Sequence, residues 1–382
     1  MAGVPDFHPR IVCALIRTVG SASVLALLTA ALLVQPLSAG SAERIRVAPD
    51  SRSFVTPAGH PFRPWGFNYD RDHRMRLLEE YWETDWATVV EDFAEMKRLG
   101  ANVVRIHLQV AAFLEDPVTP RARALRQLRR LLRLAERTGL RVDLTGLGCY
   151  RRAQSPRWYD RLNESDRWHA QAVFWRAVAR VTADSPALFC YNLMNEPFVP
   201  GTARTAGDWL AGELGGFSYV QAITLDPAGR PRPEIARAWV RHLSRAIRQE
   251  DPAALITVGL LPETRPTGSF SGFDPAVMAE ELDFLSVHLY PKPGQWQEAR
   301  AVLRACTTGK PLVVEEIFPL PMSPAELATF VQEHRDWAAG WITFYWGQSA
   351  EELARGTTFQ EQWTHDWLVR WQLLGLGHRP GP

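Results

Sequence analysis

Six stretches of the sequence bring an apolar, strand-like run to a residue able to do chemistry. Asn68-Tyr69-Asp70 closes the first, and Arg105 and His107 lie near the end of the second. Asn195-Glu196-Pro197, His288-Leu289-Tyr290, Glu315-Glu316 and Tyr345-Trp346 close four more. A charge on a buried strand costs several kcal/mol unless it is paired. Two runs ending on carboxylates, accompanied by an arginine, two histidines and a tyrosine, therefore have no cheap structural explanation. Side chains of these kinds give and take protons and attack bound substrates. Glu315 and Glu316 are adjacent and should point to opposite faces of an extended strand. Only one of them is expected to face inward.

The runs that must position these side chains recur regularly. Strand-like segments are expected at Pro64–Tyr69, Asn102–Gln109, Arg141–Leu147, Ala187–Asn195, Leu255–Leu261, Asp283–Tyr290, Pro311–Ile317 and Trp341–Trp346. Between them run helical patterns. Trp86–Leu99 places apolar residues at Val89, Val90, Phe93, Met96 and Leu99, and Arg123–Arg137 does so at Leu125, Leu128, Leu131, Leu132 and Ala135. Further helices are expected at Asp166–Thr182, Pro233–Gln249, Pro275–Glu281, Glu298–Cys306, Pro324–Ala339 and Phe359–Leu374. Near-continuous hydrophobic strands alternating with 3.6-period helices predict a buried parallel sheet. Eight such units predict an α/β chain folded as a single-domain (β/α)8 TIM barrel over residues 43–382. An open doubly wound sheet would open on a Gly-rich phosphate turn, and none follows the first strand. A hairpin turning at Ala58-Gly59 precedes the barrel. One long irregular stretch, Pro197 to Pro233, follows the fourth strand, and a loop of that length in a compact domain is usually functional.

The 382 residues carry 43 Lys+Arg against 42 Asp+Glu, with 46% hydrophobic residues. This balance excludes a disordered chain and gives no basic excess for nucleic-acid binding. Fifteen tryptophans stand out, a residue that serves both cores and sugar-stacking surfaces. Residues 1–42 read as a signal peptide or an N-terminal membrane anchor. Arg10 and Arg17 precede an apolar run from Val19 to Val34, Pro36 breaks it, and small residues follow to Ala42. The run, about 16 residues, is short for a bilayer span of roughly 20, so cleavage and a secreted, periplasmic or extracellular location are expected. Beyond the leader, Cys149, Cys190 and Cys306 have no metal-site spacing and are expected as buried free thiols.

Together these segments resemble glycoside hydrolase family 5, in the large clan of retaining (β/α)8 glycosidases. The resemblance rests on GANVVRIH at Gly100–His107, YNLMNEP at Tyr191–Pro197, SVHLYP at Ser286–Pro291, KPLVVEEI at Lys310–Ile317 and ITFYW at Ile342–Trp346. It implies that Glu196 is the acid/base and Glu316 the nucleophile, and that Glu315 pairs with a helix outside the barrel. It further implies that Asn195 bonds a sugar 2-OH, that Arg105 and Tyr290 keep Glu316 ionised, and that His288 lies near the acid/base. Trp346 becomes a stacking floor; Asn68 and His107 become sugar contacts or supports for them. No metal or cofactor is needed for a double displacement between two carboxyls. The expected partner is a carbohydrate, with β-1,4-mannan ahead of β-glucan, and the chain is expected to act as a monomer. The charged first loop, Asn68 to His73, could close one end of the site, so exo-action or transglycosylation on short glycans is the alternative activity. A sugar-binding barrel without catalysis is the alternative of another class. One departure is plain: the third strand, Asp143 to Gly148, carries no His where the family commonly has one.

Overall fold

The computed structural model describes residues 44–262 and 270–376, so the expected leader lies outside the described residues. Eight strands form its centre: β1 (Trp65–Tyr69), β2 (Val103–Gln109), β3 (Arg141–Gly148), β4 (Leu188–Asn195), β5 (Ile256–Leu260), β6 (Leu285–His288), β7 (Leu312–Glu316) and β8 (Gly340–Phe344). They pair in parallel and close on themselves in the order β5-β6-β7-β8-β1-β2-β3-β4. The expected (β/α)8 barrel is therefore present, each strand being followed by a helix. The helices that alternate with the strands are α1 (Trp86–Arg98), α2 (Ala122–Thr138), α3 (Glu164–Thr182), α4 (Arg232–Arg248), α5 (Pro275–Ala279), α6 (Trp296–Ala305), α7 (Pro324–His334) and α8 (Phe359–Leu376), with shorter helical turns in the loops.

Local chemistry explains the elements. In α2, Leu128, Leu131, Leu132 and Ala135 are buried while the arginines face outward, and Gly139, at φ +66°, ends the helix in the left-handed region that glycine tolerates. Ser323 and Glu326 form a capping box around Pro324 at the start of α7. The strands are buried along their length because helices cover the outside and side chains fill the inside.

The N-terminal ends of the strands are plugged by the expected hairpin, Phe54–Val55 with Pro61–Phe62. Phe54 meets Phe189 and Phe284 edge-on at 5.3 and 5.2 Å. The C-terminal ends stay open. There the stretch after β4 departs from the expected irregular loop. Leu210–Leu214 and Phe217–Ala222 form an antiparallel hairpin, to which Pro197–Phe198 adds a third, parallel strand. Its turn uses Gly215 and Gly216, both at positive φ, so two glycines supply the conformation that a tight hairpin turn requires. Cys149, Cys190 and Cys306 are free and buried, as expected. Among the described residues no helix is long and apolar enough to cross a membrane.

Candidate active site

Arg105 on β2 is the centre of the barrel mouth. It is fully buried, and its guanidinium donates to three groups on three different strands and pairs with a fourth. Nη1 reaches Asn68 Oδ1 at 2.8 Å and Glu316 Oε1 at 2.7 Å; Nη2 reaches Asn195 Oδ1 at 2.8 Å and lies 3.4 Å from Glu315 Oε1. The planar fork suits this geometry, because several acceptors can be held at fixed angles at once. Tyr290 donates its O–H to the other oxygen of Glu316 at 2.8 Å. His288 Nδ1 lies 2.7 Å from Glu196 Oε1 and 3.3 Å from Glu316 Oε2. Oxygens of Glu196 and Glu316 and a nitrogen of His288 all lie within 4.8 Å of one another. Glu196 itself sits at φ +47°, a strained conformation held by its N–H bond to the Gly259 carbonyl at 2.9 Å.

Glu315 is placed differently from expectation. It does not pair with an outer helix; it is wholly buried inside the barrel beneath Glu316. Asn192 Nδ2 donates to both of its oxygens at 2.9 Å, and His288 Nε2 lies 3.3 Å away. The cause is a break in strand register. Val287 on β6 faces Val314, but the next residue, His288, faces Glu316. Glu315 is thus the extra residue of a bulge, and a bulge cancels the alternation that would have turned one neighbour outward. A second register break has the same effect on β4. Thr257 pairs with Asn192 while Gly259 pairs with Asn195, so two asparagines three residues apart both reach the interior.

Charge follows from this packing. Both ring nitrogens of His288 face carboxylates. Burial works against its charge, but Glu316, Glu196 and Glu315 outweigh it and push the imidazole up to about 10. Burial likewise opposes the Arg105 charge, and Glu315, Glu316 and Asp143 hold it protonated. Burial pushes Glu315 up, yet Arg105, His288 and Asn192 bring it below the ordinary carboxylate value. Asp143, buried beside it, is pushed up to about 7 by burial and by the Glu315 charge. Burial also pushes Glu316 up, and Glu196 adds to this, while His288 and Arg105 oppose it. The net direction is upward, and Arg105 and Tyr290 act against it by favouring the ionised form. Tyr290 keeps its proton, since burial and then Glu316 and Glu196 raise it far above an ordinary phenol.

The family profile described as Cellulase (glycosyl hydrolase family 5) matches residues 57–339. The chain belongs to glycosyl hydrolase family 5. It is a glycoside hydrolase, an enzyme that hydrolyses O-glycosyl bonds, and its family acts on β-glycans. No curated protein matches the chain in sequence. Solved structures share the fold. The GH5_18 protein from Streptomyces cattleya in complex with GlcNAc is 19% identical, with a TM-score of 0.61 over 87% of this chain and 82% of that one. An exo-β-1,4-mannosidase from Opitutaceae bacterium strain TAV5 is 19% identical, TM-score 0.60, over 78% of this chain and 54% of that one. A β-1,4-mannanase from the sea hare Aplysia kurodai is 17% identical, TM-score 0.59, over 87% and 96%.

Within this family 5 site the remaining expected residues separate. Asn68 is a support: it is buried, donates to the Glu315 and Thr343 carbonyls at 2.7 and 3.0 Å, and accepts from Arg105. His107 also has both ring nitrogens occupied. Nδ1 meets the Tyr150 hydroxyl and Nε2 lies 3.2 Å from Asn68 Oδ1. Burial and the Arg105 charge keep this imidazole neutral. Asn195 donates one N–H to the Tyr219 carbonyl at 3.2 Å, and its other N–H has no protein acceptor among the described residues. Trp346 lines the mouth, while Tyr345 turns beneath it toward Asp92, its hydroxyl at 3.2 Å. The third strand carries no histidine, and the space beside its last residue is filled: a Cβ at Gly148 would lie 2.4 Å from the Gln109 amide nitrogen.

The mouth holds a cavity of about 420 Å³ lined by Glu196, Glu316, Tyr290, His107, Trp346 and Tyr219, among others. Tyr219, on the hairpin after β4, reaches it. Trp209 is buried against Arg167, and Trp296 packs on Phe330 and His334. Sequence reasoning missed Asn192, Asp143, Tyr150 and the inward Glu315. A charge and an amide inside apolar strands were the available signals. Glu196, His288 and Glu316 could together reach one cation. His288 flanked by carboxylates on both nitrogens would first have to give up a proton to offer a lone pair.

Proposed function

We propose that the chain is a secreted retaining β-glycosidase that works by double displacement on β-1,4-linked glycans of the mannan type. The observation carrying this reading is the Glu196–Glu316 pair. An oxygen of each lies within 4.8 Å of one of the other, short of the ~6.5–9.5 Å that leaves room for a water in inverting enzymes, so the pair fits the closer spacing of retaining ones. Glu316, oriented by Arg105 and Tyr290, attacks the anomeric carbon. The carbon–oxygen bond to the leaving group breaks, and Glu196 delivers its proton to that oxygen. Water then gives a proton back to Glu196 and attacks the same carbon, and Glu316 leaves as a carboxylate. The sugar emerges with its original anomeric configuration. Between the steps the two fixed cations, Arg105 and His288, compensate the changing charge on the pair without moving, which is how a preorganised site stabilises a transition state.

Mannan-type substrates are favoured by the neighbours named above, an exo-β-1,4-mannosidase and a β-1,4-mannanase. Secretion rests on the sequence of residues 1–42. The test is hydrolysis of a panel of aryl β-glycosides (mannoside, glucoside, xyloside, N-acetylglucosaminide) by wild type and Glu316→Ala, with the product anomer followed by proton NMR. Wild type should release the β-anomer first from at least one substrate, and the variant should be inert. Equal inertness of both proteins across the panel sinks the activity. An α-anomer appearing first sinks the double displacement.

A further inference from the structure

Asp70, Arg71 and Tyr219 line one side of the mouth and have no part in the proposed reaction. Asp70 and Arg71 follow β1, and Asp70 is buried. Arg71 Nη1 donates to Asp70 Oδ2 at 2.9 Å and to the Tyr219 hydroxyl at 3.0 Å. The other oxygen of Asp70 accepts from Trp346 Nε1 at 3.2 Å. The Arg71 guanidinium lies over the Trp346 ring, 4.8 Å from its centroid, and 5.6 Å from that of Phe217. Tyr219 and Phe217 belong to the hairpin after β4, three strands from β1 around the barrel. A bond from the β1 loop to this hairpin therefore bridges the mouth.

The bridge is anchored. Leu77 of the β1 loop, Tyr150 after β3, and Phe217 of the hairpin form their own buried cluster, with Tyr219 packed against it. Ser218 N–H donates to the Tyr150 carbonyl at 2.8 Å. A Cβ at Gly215, in the hairpin turn, would lie 3.7 Å from Met75 Cε, so the turn touches the β1 loop. Burial of the ion pair makes it costly to open, since an unpaired Arg71 or Asp70 would lose its partner away from water. The remaining cavity, about 420 Å³, is at the small end of the ~300–1,000 Å³ range of ligand sites.

We infer that Asp70, Arg71 and Tyr219 form a fixed strap that closes the glycone end of the site, so that the enzyme takes one terminal non-reducing sugar and releases it singly. This rests on the proposed function, in which the sugar under attack lies between Glu316 and the Trp346 side of the mouth. Beyond that sugar, the aromatic surface a second glycone residue would need is covered by the Arg71 guanidinium. An interior sugar carries a glycosidic substituent pointing into the strap and is excluded. A terminal sugar carries a free hydroxyl there, and the Asp70 carboxylate and Arg71 guanidinium can bond it as acceptor and donor. Exclusion and recognition thus come from the same charged pair.

The test uses reducing-end-labelled β-1,4-linked hexaoses of mannose and of glucose, with the labelled products resolved by chromatography at early times. Wild type should shorten a hexaose strictly one sugar at a time, so that the labelled pentaose appears first and alone. Arg71→Ala should produce labelled fragments of several lengths at once, with internal cuts raised at least about tenfold relative to terminal ones, a factor that corresponds to 1.4 kcal/mol. Tyr219→Phe, which keeps the ring and removes the hydroxyl, should move the product pattern the same way by less, and covers the case in which Arg71→Ala folds poorly. Mixed labelled lengths from wild type at the first time point overturn the strap. So does a strictly sequential pattern retained by both variants, or failure of wild type to cut either hexaose while it hydrolyses aryl glycosides. Inertness of wild type on every aryl glycoside and both hexaoses overturns the activity on which the strap rests, and is distinguishable from these.

Discussion

Replacing Glu315 with Gln separates a buried charge from its shape. The carboxylate accepts from Asn192 at 2.9 Å through both oxygens, lies 3.4 Å from Arg105 Nη2, and lies 3.3 Å from His288 Nε2. All three neighbours are donors. An amide offers one acceptor oxygen, and its NH₂ must face a donor whichever way it is turned, at a cost of about 1–3 kcal/mol for the group left unmatched. Breaking a buried ion pair from one side typically costs ~3–5 kcal/mol, because the partner charge stays buried. The imidazole of His288 bears part of that loss. Its folded pKa of about 10, against 6.5 ordinarily, corresponds to roughly 5 kcal/mol of stability at 1.36 kcal/mol per pH unit. Because the folded value is the raised one, this contribution is complete below about pH 6.5 and disappears as pH rises through about 10. Glu315→Gln should therefore lower the melting temperature at pH 6 by about 5–10 °C, using the lower sensitivity of large domains. It should also move the alkaline loss of stability toward neutral pH, since His288 retains only Glu196 and Glu316 as partners. Differential scanning calorimetry across pH 5–10 reads both effects. A variant melting within about 1 °C of wild type, with a superimposable pH dependence, would refute the claim that Glu315 holds the two cations in place.

Other outcomes follow from the same contacts. Tyr290→Phe removes a donor to a charged oxygen, worth about 1.5–3 kcal/mol, and should lower kcat/KM by roughly 10–100-fold while the melting curve stays in place. Glu196→Gln should slow hydrolysis of substrates with poor leaving groups by about 10²–10⁴-fold, the usual range for a proton-transfer group, and slow nitrophenyl glycosides much less; equal losses on both would contradict its role as the acid. Gly259→Ala puts a Cβ 2.7 Å from Glu315 Oε1 and 3.0 Å from both Arg105 Nη2 and His288 Nε2, so activity and melting temperature should fall together, as measured on the purified variant. Because burial raises Glu316, and this group must be ionised to attack, the acid limb of kcat/KM should lie above the ordinary Glu value of 4.5; a limb at or below that value would contradict it.

The sequence by itself determined the eight strand–helix units and the strand ends on which Glu196 and Glu316 sit. All eight expected strands are present, displaced by at most two residues at either end, because burial on both faces of a parallel strand and one face of a helix writes a local period into the chain. Trp346, named through the family resemblance, lines the mouth, and Tyr345 turns beneath it. What alternation could not decide is where it stops. The inward turn of Glu315, and the joint access of Asn192 and Asn195 to the interior, depend on register breaks against β6 and β5. A register break is a property of two strands brought together, and it has no period in either one. For Asn68 and His107 the sequence left sugar contact and support equally open, and only the closed barrel placed Arg105, Tyr150 and the β7 and β8 carbonyls around them. The bond from Arg71 to Tyr219 joins residues 148 positions apart, and only barrel closure and the Gly215–Gly216 hairpin bring them within reach. Periodic burial is local and therefore legible; the pairing of buried charges is decided by which distant strands meet.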